Sequence, residues 1–405
     1  MMLFVAAFTA AHRLLQPMFK DTTTSAGKPR VAWLDNAKFI MLVWVSLDHI
    51  PSSDAQPDLG WYPLTTIHTR VLALISGWVA RHRKFDGRSC ESVLLGLVAP
   101  LLLFVMTFGP LQRFLAVGEL PGSMQLWLHS TVQSLRIPFD QSTGYNSRHV
   151  WYMEALIFWQ VCALLLSRFP TAVPVLVSCL GFVMSIELPP MPFGLSAALQ
   201  IMPFYFLGQA LPLEKCLELV PAVGPWSWCA GLATLTGVFF MEQWLPSNNL
   251  TTFKWPIFSD MMLEGLMEMH PGMPRDYVSS TYVLPMTRAW FYMAEAVWYN
   301  LCTLVLVLVF LLLLCPRSTS WYTELGQHTL YAYMLTNLPT CLGGIQYAKF
   351  LNSPGSPLAC FLLKLMWALF LVTLFCSPLV RRAPISWILE PAWIKRLYTT
   401  SKTAG

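Results

Sequence analysis

The sequence predicts an all-α, polytopic bundle of about ten transmembrane helices with both termini cytoplasmic. Three observations carry that expectation. Of the 405 residues, 55% are hydrophobic and only 12% are charged, against about 25% charged in an ordinary soluble domain. Apolar stretches recur at about the 17 to 25 residues that a helix needs to cross a bilayer. Basic residues gather on alternate connections, as an even number of crossings requires. The aromatic residues lie inside the apolar runs and not among basic patches, which excludes a nucleic-acid partner. The lipid bilayer is the expected surrounding, and oligomeric state is left open because lipid-facing and partner-facing surfaces have similar composition.

The chain divides into an N-terminal interfacial segment and linker (1–30), a membrane domain (31–380) and a basic tail (381–405). The opening MMLFVAAFTAAHRLLQPMFK holds an apolar run too short to cross, with no basic residue ahead of it. It suits an interfacial helix better than a secretory signal. Candidate spans follow near 32–50, 64–80, 92–111, 149–167, 171–188, 196–213, 223–241, 288–314, 325–345 and 357–380. Arg13, Lys20, Lys28 and Arg30 before the first span, Arg81, Arg83, Lys84 and Arg88 after the second, and Arg381, Arg382, Lys395, Arg396 and Lys402 in the tail all fall on one side. That side is cytoplasmic by the positive-inside rule. The sequon Asn249-Leu250-Thr251 falls on the other. Cys162, Cys179, Cys302, Cys360 and Cys376 lie within spans without a CxxC pair and read as small core residues. No metal site is expected.

The stretch AWLDNAKFIMLVWVSLDHI (Ala32–Ile50) is the one around which the others are read. It is apolar enough to enter a bilayer yet carries Asp35, Lys38 and His49, and ionisable groups within a span usually mark a site. Eleven residues separate Lys38 from His49, which brings them within roughly 20° of one helix face and about 16 Å apart along the axis. A long, thin, partly anionic ligand fits that spacing. His49 at the far end is suited to act as a base on an attacking hydroxyl. A hydrogen bond to a loop is its plainer role, as snorkelling to the interface is for Lys38. Asp48 is a candidate orienting carboxylate, although adjacent helix residues do not face each other.

The second span, HTRVLALISGWVARHRK, has small residues at Ser76 and Gly77. They permit either close helix packing or entry of a ligand whose phosphates meet Arg81 and Arg83 just beyond. The fourth span opens RHVWYMEALIFWQ, which places Glu154 about one turn inside, at the depth expected for His49. Trp151 beside it suits an interfacial belt or a substrate contact. In the eighth span Arg288, Tyr292, Glu295 and Tyr299 form a polar stripe expected to face the bundle interior.

These residues resemble the acyltransferase 3 family of integral membrane O-acyltransferases, in its fucose O-acetyltransferase-like branch, over about residues 31–380. The similarity rests on Lys38 and His49 in LDNAKFIMLVWVSLDH, ISGW at Ile75–Trp78 followed by basic residues, VWYMEALIFW, PFYFLGQAL and LGQHTLYAYML, in that order. Asp48 before the histidine, and Thr336 and Asn337 after LYAYML, depart from the family's pattern. The resemblance implies ten core helices and transfer of an acetyl or other short acyl group from cytoplasmic acyl-coenzyme A to a hydroxyl, usually of a carbohydrate. His49 would be the general base, with Glu154 and Asp48 beside it. Lys38, Asp35, Ser76, Arg81, Arg83, Trp151, Arg288 and Glu295 would contact the substrates, and acetyl-CoA would be the co-substrate. A secretory-pathway or cell membrane is the expected location. Buried ionisable residues would also suit a proton-coupled transporter, and a catalytically inactive scaffold is a third alternative. His49-dependent consumption of acyl-coenzyme A separates them.

Overall fold

The computed structural model describes residues 31–50, 62–117, 122–129, 150–187, 195–219, 226–234, 300–336, 356–382 and 385–390, with a few isolated positions besides. No strand occurs among the described residues. The N-terminal segment, the loop with the Asn249 sequon, and Arg288 and Glu295 of the polar stripe lie outside them.

Helix α1 spans Ala32–Asp48, α2 Tyr62–Ala80, and α3 runs as Gly87–Val93, a π turn Leu94–Val98, and Ala99–Val117. Asp86 caps α3 by accepting a bond from the Ser89 amide at 2.7 Å. Then come α4 (Trp151–Leu166), α5 (Ala172–Glu187), α6 (Leu195–Ala210) and the short α7 (Leu213–Leu219). Residues 226–234 are also helical. Helix α8 covers 300–309 and closes in a π turn, Phe310–Leu314. A 3₁₀ turn, Leu325–His328, leads into α9 (Thr329–Leu335). Helix α10 (Pro357–Cys376) and the short α11 (Pro378–Arg382) and α12 (Ile385–Leu389) follow. Gly87–Phe108 and Leu358–Arg381 are long and apolar enough to cross a membrane, while Ile67–Ala80, Trp151–Leu166, Ala172–Ser185 and Asn300–Leu314 are shorter apolar helices. Each coincides with a stretch expected from the sequence. Helix α3 continues to Val117, past the expected end near 111, because LQRFLAV holds no helix breaker.

Helix α1 is the hub. Every side chain from Trp33 to Ser46 is buried except Lys38, the pattern of a helix surrounded on all sides. At its first turns it rests on residues 315–326. The Asn36 amide donates to the carbonyls of Pro316 (2.8 Å) and Ser318 (2.9 Å), and the Thr323 hydroxyl donates to Asn36 Oδ1 at 2.6 Å. Cys315 donates to the Trp33 carbonyl at 3.3 Å. Phe39 stacks on Tyr322 and meets Trp321 edge-on. Arg317 in the same segment donates to the carbonyls of Leu217 (2.8 Å) and Leu312 (3.0 Å), a cation placed at the ends of two helices.

Helices α2 and α6 touch backbone to backbone. A Cβ on Gly77 would lie 1.8 Å from the Tyr205 carbonyl oxygen, and one on Gly208 2.0 Å from that of Leu74. Gly77 therefore serves close packing and opens no gap. The Trp159 indole, fully buried, donates to the Ala198 carbonyl at 2.8 Å and fixes α4 to α6. The cysteines are divided: Cys360 and Cys376 are buried, as expected for core residues, and Cys162 and Cys302 are half-buried. Cys179 departs from that expectation and is exposed, on the outer side of α5.

Gly77→Ala and Gly208→Ala are each expected to lower stability by about 1–3 kcal/mol or more, since backbone, not a side-chain tip, must move. Gly96→Ala, with nothing within 4 Å of the added methyl, should change it by less than about 0.5 kcal/mol. Thermal unfolding of the detergent-solubilised protein reads the difference.

Candidate functional site

The helical geometry of α1 holds through His49, whose φ of −91° and ψ of 0° close the helix and whose amide donates to Val45 at 3.3 Å. Lys38, Leu42, Val45 and His49 therefore form one stripe at spacings of four, three and four residues. Between the ammonium at one end and the imidazole at the other, Leu42 and Val45 are buried against the neighbouring helices. Lys38 Nζ lies 2.6 Å from Asp35 Oδ1 one turn earlier, with 27% of the lysine side chain exposed against 10% of the aspartate. Asp35 thus holds Lys38 in place, and Lys38 is the member of the pair that opens onto free space. The 315–326 segment closes the same end, where Gly326 packs on the Asp35 carbonyl so tightly that a Cβ would lie 2.0 Å from its oxygen.

At the other end His49 is half-buried and Asp48 exposed. A rotation of about 100° separates them, so the helix itself does not aim Asp48 at the imidazole. Two groups that the sequence reading passed over lie here. His68 on α2 is only 5% exposed, lies within electrostatic reach of His49 and Arg70, and its Nδ1 has no hydrogen-bond partner. Ser46, one turn before His49, is 2% exposed with an unpartnered hydroxyl. Arg70, also buried, lies over the Phe204 ring, 5.6 Å from its centre. The signal for His68 was the same as for His49, an imidazole inside an apolar helix.

Helix α4 lies parallel to α2. Ser76 Oγ is 3.4 Å from the Tyr152 hydroxyl, Arg83 donates to Gln160 Oε1 at 2.6 Å, and the Phe85 amide donates to Ser167 at 3.3 Å. The first turn of α4 therefore meets the last third of α2. The expectation that Glu154 shares the depth of His49 is not met. Glu154 sits with Ser76, about 12 Å along α2 from His68. Sequence marks where a helix begins but not its height against a neighbour. Glu154 is 7% exposed, and neither carboxyl oxygen has a partner. The Tyr333 hydroxyl beside it accepts from the Tyr152 amide at 3.1 Å, satisfying an N–H that the start of α4 leaves open. Trp151 is half-buried and meets the Tyr152 ring edge-on at 5.9 Å.

The two arginines after α2 differ. Arg81 pairs with Glu214, donates to the Trp78 carbonyl at 2.8 Å and lies 3.8 Å over the Trp78 ring, while the indole donates to Glu214 at 3.1 Å. Its charge is spent within the fold. Arg83 donates to the neutral Gln160 amide and not, in that bond, to a carboxylate. No group of three or more His, Cys, Asp or Glu side chains suited to a metal occurs among the described residues. No protein-family model, curated protein or solved structure matches the chain.

A second polar cluster ties the last helices to the 3₁₀ turn before α9. Arg381 reaches His328 Nε2 and lies 3.7 Å from Glu324, while His328 Nδ1 is 3.9 Å from Glu390. His328, with Arg381 behind it, holds the Glu390 carboxyl below its ordinary range. A depressed carboxylate contributes stability that is complete above the unfolded value of about 4.3 and is lost as pH falls through the folded value. Docking of α12 should accordingly persist from neutral pH to about pH 4.3 and weaken only below it. Trp387 fluorescence reports it, and Glu390→Gln should show the weakened state already at pH 7.

Proposed function

We propose that the chain is a multi-pass integral membrane O-acyltransferase that moves an acetyl or other short acyl group from acyl-coenzyme A to a carbohydrate hydroxyl. The observation that carries this reading is the α1 stripe, in which the partly exposed Lys38 and His49 stand at opposite ends of an otherwise buried helix. Their separation of about 16 Å suits an extended pantetheine arm. The resemblance of its motifs to the acyltransferase 3 family supports the reading. So does the distribution of basic residues, which puts both termini and the Arg81–Arg88 connection on the cytoplasmic side of about ten crossings. In that orientation Lys38 faces the cytoplasmic supply of acyl-coenzyme A and His49 the opposite compartment.

The phosphates are assigned to Lys38 and Arg83. Lys38 has three N–H donors, of which Asp35 engages one. Arg81 is assigned to the Trp78–Glu214 cluster and not to the ligand. Glu154 lies between the two ends and is assigned to the amide N–H groups of the pantetheine chain. At the far end, the acceptor hydroxyl gives its proton to His49 as its oxygen attacks the thioester carbonyl. The C–O bond forms, the C–S bond breaks, and the departing thiolate takes up the proton from the imidazolium. General-base catalysis of this kind contributes about 10² to 10⁴ in rate.

Labelled acetyl-CoA supplied to membranes carrying the protein should label one of the lipid, glycan or soluble fractions, with His49→Ala reducing transfer at least about a hundredfold. Equal transfer by both would make His49 structural and end this mechanism. Uptake of a solute without acyl transfer would favour the transporter. Arg83→Gln should raise KM for acetyl-CoA about tenfold with kcat little changed, because its contact is equal in ground and transition states.

A further inference from the structure

Most buried polar groups near α1 are matched: Asn36 to the 315–323 segment, Trp159 to Ala198, and Tyr152 to Ser76 and Tyr333. Several are not, among them the Tyr331 hydroxyl and, at the His49 end, two groups close in the fold to a candidate base. Ser46 Oγ and His68 Nδ1 are unpartnered, in side chains only 2% and 5% exposed. They sit on two helices packed together, with Ser46 one turn from His49 on nearly the same face and His68 within electrostatic reach of it. At this depth α1 and α2 therefore carry, besides the His49 imidazole, two buried groups with hydrogen-bonding capacity to spare. A buried polar group without a partner is costly, and beside a candidate base a ligand is one source of the missing contact.

We infer that Ser46 and His68 bind a second hydroxyl of the acceptor and so determine its specificity, an inference that rests on the acyltransferase reading. The reacting hydroxyl lies against His49, and its neighbour on the adjacent carbon lies between Ser46 and His68. A hydroxyl both donates and accepts, so it satisfies Ser46 Oγ together with either tautomer of His68. An acceptor with a single hydroxyl leaves both groups unmatched. A site built around such bonds discriminates strongly against an analogue that lacks one. Ser46 and His68 take no part in the proton transfer, and their role is to position the acceptor.

The test uses the full chain in membranes, with acetyl-CoA as donor and cis-1,2-cyclohexanediol or cyclohexanol as acceptor. Wild type is expected to favour the diol by at least about tenfold in kcat/KM. His68→Leu should bring that ratio close to one, mainly by raising KM for the diol, and Ser46→Ala should lower it. His68→Asn, which keeps a polar atom near the position of Nδ1, should restore part of the preference. Thermal unfolding of the detergent-solubilised His68→Leu protein close to that of wild type shows that the variant is folded. No diol preference in wild type, or a preference that survives both His68→Leu and Ser46→Ala, overturns the inference and leaves the acyltransferase reading intact. If wild type labels neither the probes nor any endogenous membrane fraction, that reading fails and the inference with it.

Discussion

The arrangement depends on one buried carboxamide. Asn36 is fully buried in the first turns of α1 and engages two carbonyls and a hydroxyl of the 316–323 segment. Each buried polar atom left unmatched costs about 1–3 kcal/mol, so these bonds fix the segment across the end of the helix. From there the constraint spreads in both directions. Gly326 lies against the Asp35 carbonyl, next to the carboxylate that holds Lys38. His328, two residues on, receives Arg381 and so joins the last helices to the same end. A chain that must surround α1 on all sides closes one end with polar bonds and leaves Lys38 on the single stripe where they do not reach.

A second constraint is the contact between α2 and α6. With Gly77 and Gly208 each facing a carbonyl of the other helix, α2 can neither slide nor rotate appreciably. The neighbouring Ser76, about 100° round the helix, is thereby turned to Tyr152 on α4, and through Tyr152 to Tyr333 on α9. Two adjacent small residues thus serve different partners, one by shape and one by a hydroxyl.

Much of this is legible in the sequence, and the rest fails for definite reasons. Hydropathy locates the helices because apolar length is a local property. The Lys38–His49 face follows from helical period alone. The Asp35–Lys38 pair, three residues apart, is also local, and the structure turns Asp35 from a ligand contact into the partner of Lys38. Arg81 and Arg83 look equivalent in sequence; they differ because Glu214 and Gln160 come from distant helices. Glu154 fails for a third reason, since period gives the face of a residue but not its depth. Asn36 and His68 were visible as polar residues in apolar helices and were outweighed by their charged neighbours.

The buried polar groups divide into those that end on protein atoms and those that do not. Asn36, Trp159 and Arg81 each end on protein atoms, and replacing one would loosen helix packing. Glu154, Ser46 and His68 are also buried, and each, like Tyr331, has a polar atom without a protein partner. Where water is excluded, such atoms are costly in the empty protein and become favourable contacts once a ligand supplies the missing donor or acceptor. Glu154 lies beside Ser76, about 12 Å along α2 from His68, and Lys38 and His49 stand at opposite ends of α1. Under the proposed function, the missing donors and acceptors would come from the amide N–H groups of the acyl donor and the hydroxyls of the acceptor.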